Sequence, residues 1–150
     1  MRRGDRQISE AEAWEILVHG EYGLLSTVSP DGTPYGLPLS YCLIDKKIYF
    51  HAAVVGKKLD NIAANPRVSF CVVGNTEILP EQFATRYESC IAEGVAMEVF
   101  GEEKLAVLAA LIGKYSPGFI TEGANYIAKK QAATRVFAIA IASISGKVRR

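Results

Sequence analysis

Apolar and polar positions along this chain follow two periods, and the period changes where glycine, proline or aspartate interrupts it. The first segment is helical. Ser9 followed by Glu12 has the form of a capping box, and Ala13, Trp14, Ile16, Leu17 and Val18 supply an apolar face that ends at Gly20. From Tyr22 the period drops to two. YGLLSTVS, TPYGLPLSYCLI and IYFHAAV are separated by Pro30-Asp31-Gly32 and Asp45-Lys46-Lys47, which predicts three antiparallel runs joined as a meander. Pro34 and Pro38 give the second run an irregular start or an edge position, because proline donates no ladder hydrogen bond. KKLDNIAAN, opened by Gly56 and closed by Asn65-Pro66, returns to helical spacing through Leu59, Ile62 and Ala63. RVSFCVVG predicts a fourth strand, NTEILPEQFAT a loop, and RYESCIAEGVAMEVF a fifth strand with Tyr87, Ser89, Ile91, Val95, Met97 and Val99 on one side. Glu102 to Tyr115 predicts a helix with Leu105, Leu108, Ala109 and Ile112 in one stripe; Ser116-Pro117-Gly118 ends it, and a weaker helix covers Gly123 to Ala132. The last run, TRVFAIAIASISGKV, sets Phe137, Ile139 and Ile141 against Ala138, Ala140 and Ala142. Large and small residues alternate in this way where they fill the interior of a small barrel.

Composition narrows the picture. With 150 residues, 49% of them hydrophobic, and no repeat or linker, the chain reads as a single domain over 1–150. A domain of this length can bury roughly 70% of its unfolded surface without disulfides or metal. Seventeen basic against sixteen acidic side chains leave a net charge of +1, which disfavours holding nucleic acid by phosphate attraction. The longest apolar stretches, such as Val136 to Ala142, fall far short of the ~20 residues that span a bilayer. Arg2, Arg3 and Arg6 have no apolar run behind them and do not form a secretory signal, so the expected location is cytoplasmic. Cys42, Cys71 and Cys90 are odd in number and embedded in strands, as buried reduced thiols would be.

Few residues suit chemistry. His19 and His51 are the only histidines, and neither stands at metal-ligand spacing. No nucleophile sits in a recognisable elbow, and Gly56-Lys57-Lys58 departs from a P-loop, with His51 where that motif has glycine. What remains is the sequence from His51 to Lys58: a strand end, a glycine turn, and two lysines in the first turn of a helix whose free N–H groups attract anions. Lysines there oppose the helix dipole, at a cost of about 0.3 to 1 kcal/mol each, and a bound phosphate would offset it. A solvated surface pair is the plainer reading and has equal weight. Ser26 and Thr27 would place hydroxyls beside the third run, while Tyr35, Tyr41 and Tyr49 offer apolar walls or simple core packing.

Taken together, GLLSTVSPDGTPYGLPLSY, IYFHAAVVGKKLDNIAANPRVSF and YESCIAEGVA resemble the pyridoxamine 5'-phosphate oxidase-like flavoproteins, and within them the nitroimidazole-resistance branch. The resemblance implies a mainly β fold with flanking helices, an antiparallel FMN-binding split β-barrel of Greek-key type. It implies FMN at the interface of a homodimer with two flavin sites and a small-molecule substrate, with no nucleic acid and no membrane. Carried over, Ser26 and Thr27 flank the flavin, Leu39 and Ser40 approach its ring, Lys58 binds the phosphate with Lys57 assisting, and His51 faces the flavin as proton donor. Tyr87 and Ser89 approach from the partner or brace the site. The substrate-recognition signature of the true pyridoxamine phosphate oxidases is missing from the end, SISGKVRR. The implied activity is therefore an FMN-dependent reduction of a small electron-poor compound such as a 5-nitroimidazole. A flavin-binding module without a dedicated substrate is the alternative, and a barrel that binds single-stranded nucleic acid through aromatics is the weakest reading.

Overall fold

The computed structural model of the chain describes residues 3–150, so Met1 and Arg2 of the basic start lie outside the described residues. In chain order, β1 (Gln7–Ile8) and α1 (Glu10–His19) precede a hairpin of β2 (Gly23–Val28) and β3 (Pro34–Leu39). A second hairpin of β4 (Cys42–Ile44) and β5 (Lys47–Ala52) leads into α2 (Lys57–Ala64). A long hairpin of β6 (Arg67–Leu79) and β7 (Ala84–Val99) is followed by α3 (Gly101–Tyr115), α4 (Ile120–Lys130) and the last strand, β8 (Arg135–Arg149). The capping box forms as the sequence predicts: the Glu12 amide donates to the Ser9 hydroxyl at 3.2 Å, and the Ser9 amide donates to the Glu12 carboxylate at 2.9 Å.

All strands join one antiparallel sheet in the order β3-β2-β6-β7-β8-β5-β4, with β1 added along β8. The sheet curls around a core but does not close, since β3 and β4 keep free edges, and this is the split-barrel form. Strands β6, β7 and β8 are sequential neighbours while β5 lies beside β8, which makes a Greek key whose long connection runs through α2. The expected three-run meander is therefore corrected. Its middle run breaks at Ser40-Tyr41 into β3 and β4, which occupy opposite edges of the sheet. Tyr41 supplies the reason: fully buried, it donates its hydroxyl to the Leu17 carbonyl and pulls the chain across α1. Pro34 and Pro38 do stand on an edge strand.

The interior is filled by Leu25, Phe50, Phe70, Val72, Phe137 and Ile139, with Leu17 of α1 and Ile62 of α2 closing it. A second cluster lies outside the sheet, where Val107, Leu108 and Leu111 of α3 cover Tyr49, Val136 and Ala138. The face of α3 is turned from the predicted stripe: Leu105 is exposed, because α3 packs through Val107 and Leu111. Strand β7 turns outward the side that carries Ile91, Val95 and Met97. Its small residues Cys90, Ala92 and Ala96 point inward, where two large faces already meet, and Ile91, Val95 and Met97 are exposed at 44%, 42% and 59%. On β8 the inward parity changes from Phe137 and Ile139 to Ile144 across a bulge opposite Glu93 and Gly94. Gly94 suits that place because a Cβ there would collide with the Ala140 carbonyl. The predicted loop at NTEILPEQFAT is mostly strand: β6 continues to Leu79, and the turn is confined to Pro80–Phe83, braced by Arg86 donating to Glu77 at 2.9 Å.

Candidate functional site

At one end of the barrel the chain leaves β5, turns at Gly56 and enters α2. Gly56 has φ 157 and ψ 159, a backbone region almost closed to other residues, and the space where its Cβ would stand is open. The amides of Leu59 and Asp60 both turn back to the Gly56 carbonyl, which leaves those of Lys57 and Lys58 as the outward donors of the helix end. Lys57 reaches back to the β2–β3 hairpin, with its Nζ 4.7 Å from the Tyr35 ring centroid.

Buried polar contacts hold this end in place. Asn61 Nδ2 donates to the Thr27 hydroxyl at 3.0 Å, and that hydroxyl donates to the Tyr35 carbonyl at 3.2 Å; both side chains are buried. Thr27 thus ties α2 to the hairpin through its hydroxyl, while the residue also borders the groove described next. On the other flank Arg135 donates from Nε and Nη2 to the two Glu98 carboxylate oxygens at 2.9 and 2.8 Å, and from Nη1 to the Val54 carbonyl at 3.3 Å.

Beside this end the outer face of the sheet carries a groove of about 410 Å³, lined among others by Ser26, Val28, Arg67, Ser69, Glu93 and Ser143. Ladder register explains the polar row: Ser26 faces Ser69, Ser69 faces Glu93, and Glu93 faces Ser143 across four adjacent strands. Sequence reasoning singles out Ser26 alone of these. Arg67 had a visible signal, since it directly follows the Asn65-Pro66 that ends α2. Ser69, Glu93 and Ser143 had none, because only strand order brings them together.

The other predicted residues are spread over the barrel. Strand β5 is not beside β2, so the expected adjacency of Ser26 to the His51 strand is corrected. His51 pairs with Val136, itself opposite Val99, roughly 13 Å along β7 from Val95 at the groove edge. Its imidazole stands on the exposed side of β5, and its pKa is lowered from the ordinary value, mainly by desolvation and secondarily by Lys58. The Leu39 side chain packs against the interior cluster, at the far end of β3 from Tyr35, and half-buried Ser40 follows it. Tyr87 and Ser89 lie on the same side of β7 as Glu93 but roughly 20 and 13 Å away along the strand. The nearby cations Lys147, its Nζ 5.5 Å from the ring centroid, and Arg6 hold the Tyr87 pKa below the usual value. Within one chain these two residues do not meet Lys57 or Lys58. Of the three tyrosines, Tyr41 and Tyr49 belong to the cores, and only Tyr35 touches the site.

Other chemistry recedes. The three cysteines are free thiols, with Cys42 and Cys90 pushed up to about 11 by burial, which keeps them protonated and unreactive. Among the described residues no cluster of His, Cys, Asp and Glu could hold a metal, and no helix is long and apolar enough to cross a membrane.

A family model described as pyridoxamine 5'-phosphate oxidase matches residues 9–148. No curated protein matches the chain. Solved structures share the fold. A candidate 5-nitroimidazole antibiotic resistance protein from Bacteroides thetaiotaomicron is 17% identical with a TM-score of 0.75, covering 95% of this chain and 86% of its own. An FAD and heme binding protein from Mycobacterium smegmatis is 21% identical with a TM-score of 0.83, covering 97% and 74%. The flavocytochrome Anf3 from Azotobacter vinelandii is 19% identical with a TM-score of 0.84, covering 100% and 72%.

Proposed function

Since the chain belongs to the pyridoxamine 5'-phosphate oxidase family, we propose that the groove and the α2 end together hold a flavin, FMN in the first instance. The observation that carries this reading is the paired Lys57 and Lys58 at a helix end with open space before Gly56. That arrangement is unfavourable by itself and becomes favourable once a phosphate sits there. The donor set suits the rest of such a molecule. Lys58 binds the phosphate with Lys57 assisting; in the groove Ser26 and Ser69 offer hydroxyls to a polyol chain, Arg67 adds a cationic donor, and Val28 and Val95 give an apolar floor for a planar ring. A bound flavin supplies electron and hydride transfer, and the protein supplies position and electrostatics.

The activity we propose is reduction of a small, flat, electron-poor compound such as a 5-nitroimidazole. His51 stands beside Lys58 at the phosphate end, roughly 13 Å along the sheet from the Val95 floor of the ring, and its neutral imidazole serves that end as a polar neighbour rather than as the proton donor to the ring. Tyr87 and Ser89 stand too far along β7 to serve the same groove and are assigned to the site of a second copy. The exposed Ile91, Val95 and Met97 make the contact between copies, giving a homodimer with two flavin sites. A flavin-binding module without a dedicated substrate is the second reading, favoured by the lowered proton affinity of His51.

The test begins with the purified protein. It should be yellow, release FMN on denaturation, and lose flavin on Lys58→Ala. Bleaching by a reduced nicotinamide cofactor followed by consumption of a nitroimidazole would select the reductase over the module. A colourless protein that takes up neither FMN nor FAD would refute both.

A further inference from the structure

Residues 53–55, which join β5 to α2, have little of their own to hold them. Val54 is 49% exposed and Val55 80%, so the loop is not anchored by side-chain burial. The loop joins two anchored elements, β5 with His51 in its ladder and α2 held by Asn61 and Ile62, so the part left for it to place is the first turn at Gly56-Lys57-Lys58. The contact that ties it to the barrel is the Val54 carbonyl accepting from Arg135 Nη1 at 3.3 Å. Arg135 is itself locked: two further donors make a forked bond to Glu98, at 2.9 and 2.8 Å, and its guanidinium lies 5.4 Å from the Phe137 ring centroid. Glu98 and Arg135 sit on β7 and β8, the strands in the middle of the sheet, whose backbones are set by the core.

A partly exposed ion pair of this kind contributes little to stability. Its planar geometry is what distinguishes it, because one guanidinium can bind a carboxylate with two donors and still direct a third at a carbonyl. We infer that Arg135, oriented by Glu98, is a positioning residue that holds the β5–α2 loop so that the Lys57-Lys58 helix end meets the phosphate of the cofactor. This inference rests on the flavin reading above and extends it to residues with no place in the family motif. Its consequence is selective. Loosening the loop removes the phosphate contacts and leaves the ring and polyol contacts of the groove as they are.

The experiment compares FMN with riboflavin, which lacks the phosphate, by fluorescence titration of flavin-free protein. Arg135→Gln should weaken FMN binding about tenfold, leave riboflavin binding little changed, and leave the flavin-free melting temperature close to wild type. Glu98→Gln, a milder change that keeps the size of the side chain, should shift the FMN-to-riboflavin preference in the same direction. Arg135→Lys should fail to restore it, because a single ammonium cannot serve Glu98 and Val54 together. An unchanged preference in the two uncharged variants would overturn the inference, as would an equal loss for both ligands, which would mark the pair as merely stabilising. If Arg135→Gln does not fold, Glu98→Gln alone decides. Wild-type protein that binds neither flavin would overturn the functional reading, and this inference with it.

Discussion

The residue that best shows how environment changes chemistry is His51. Desolvation and the neighbouring Lys58 both disfavour its protonated form, so the imidazole is neutral in the folded protein at neutral pH. A phosphate on Lys58 would offset part of that repulsion, which makes the proton affinity of His51 responsive to the ligand. The linkage has a definite sign. The folded pKa lies below the ordinary value of 6.5, so the unfolded chain takes up the proton first as pH falls, and the stabilising contribution is complete above that value and lost below it. Urea unfolding from pH 7.5 down through pH 5 should therefore show wild type losing stability relative to His51→Gln. Parallel curves for the two proteins would mean that the site does not depress this histidine. A lone histidine at a strand end is legible in the sequence; its desolvation is not, and the lysine that adds to the effect is seven residues on and becomes its neighbour through the turn at Gly56.

At the scale of elements, structure is legible in the sequence wherever a signal acts within a few residues. The Ser9-Glu12 box, the Asn65-Pro66 stop and the edge prolines of β3 all appear where the pattern places them, since each concerns hydrogen bonds closed inside one segment. Which face an element buries depends on its neighbours. The alternation on β7 marks one side of the strand without saying which way it faces; the interior there is already filled by Phe70 and Ile139 from neighbouring strands and accepts only Cys90, Ala92 and Ala96. The same dependence on neighbours turned α3 onto Val107 and Leu111. The helix-end turn yields a prediction of its own. Gly56→Ala forces a side chain into a glycine-only conformation although nothing blocks the space. It should cost about 1 to 3 kcal/mol in chemical denaturation and weaken FMN more than riboflavin. Unaltered stability and unaltered FMN binding would mean that the turn does not place the phosphate site.

For the whole molecule, the outstanding feature is an uncovered strip of sheet running from Leu24 through Ile91, Val95 and Met97 beside the groove. Helices α3 and α4 cover the β8–β5–β4 side of that outer surface and stop short of the strip. A second copy laid on it would bring Tyr87 and Ser89, which lie far along β7 from the groove of their own chain, toward the other chain's groove. Met97→Glu tests this directly. In an isolated chain the side chain is 59% exposed and the change should be nearly neutral for folding, whereas a dimer through this face should dissociate and release flavin. Sedimentation of the variant beside wild type reads the outcome, and an unaltered sedimentation coefficient would move the interface elsewhere. The order of helices and strands, the edge strand and the cationic turn were determined by the sequence itself, because each depends on hydrogen bonding and charge between near neighbours in the chain. Only the tertiary structure decided that β3 and β4 part to opposite edges, that Ser26, Ser69, Glu93 and Ser143 form one row, that Thr27 faces α2, and that Glu98 and Arg135 hold the loop. Those outcomes depend on which strands share the limited volume of one core, a competition among residues far apart in the chain that no local pattern records.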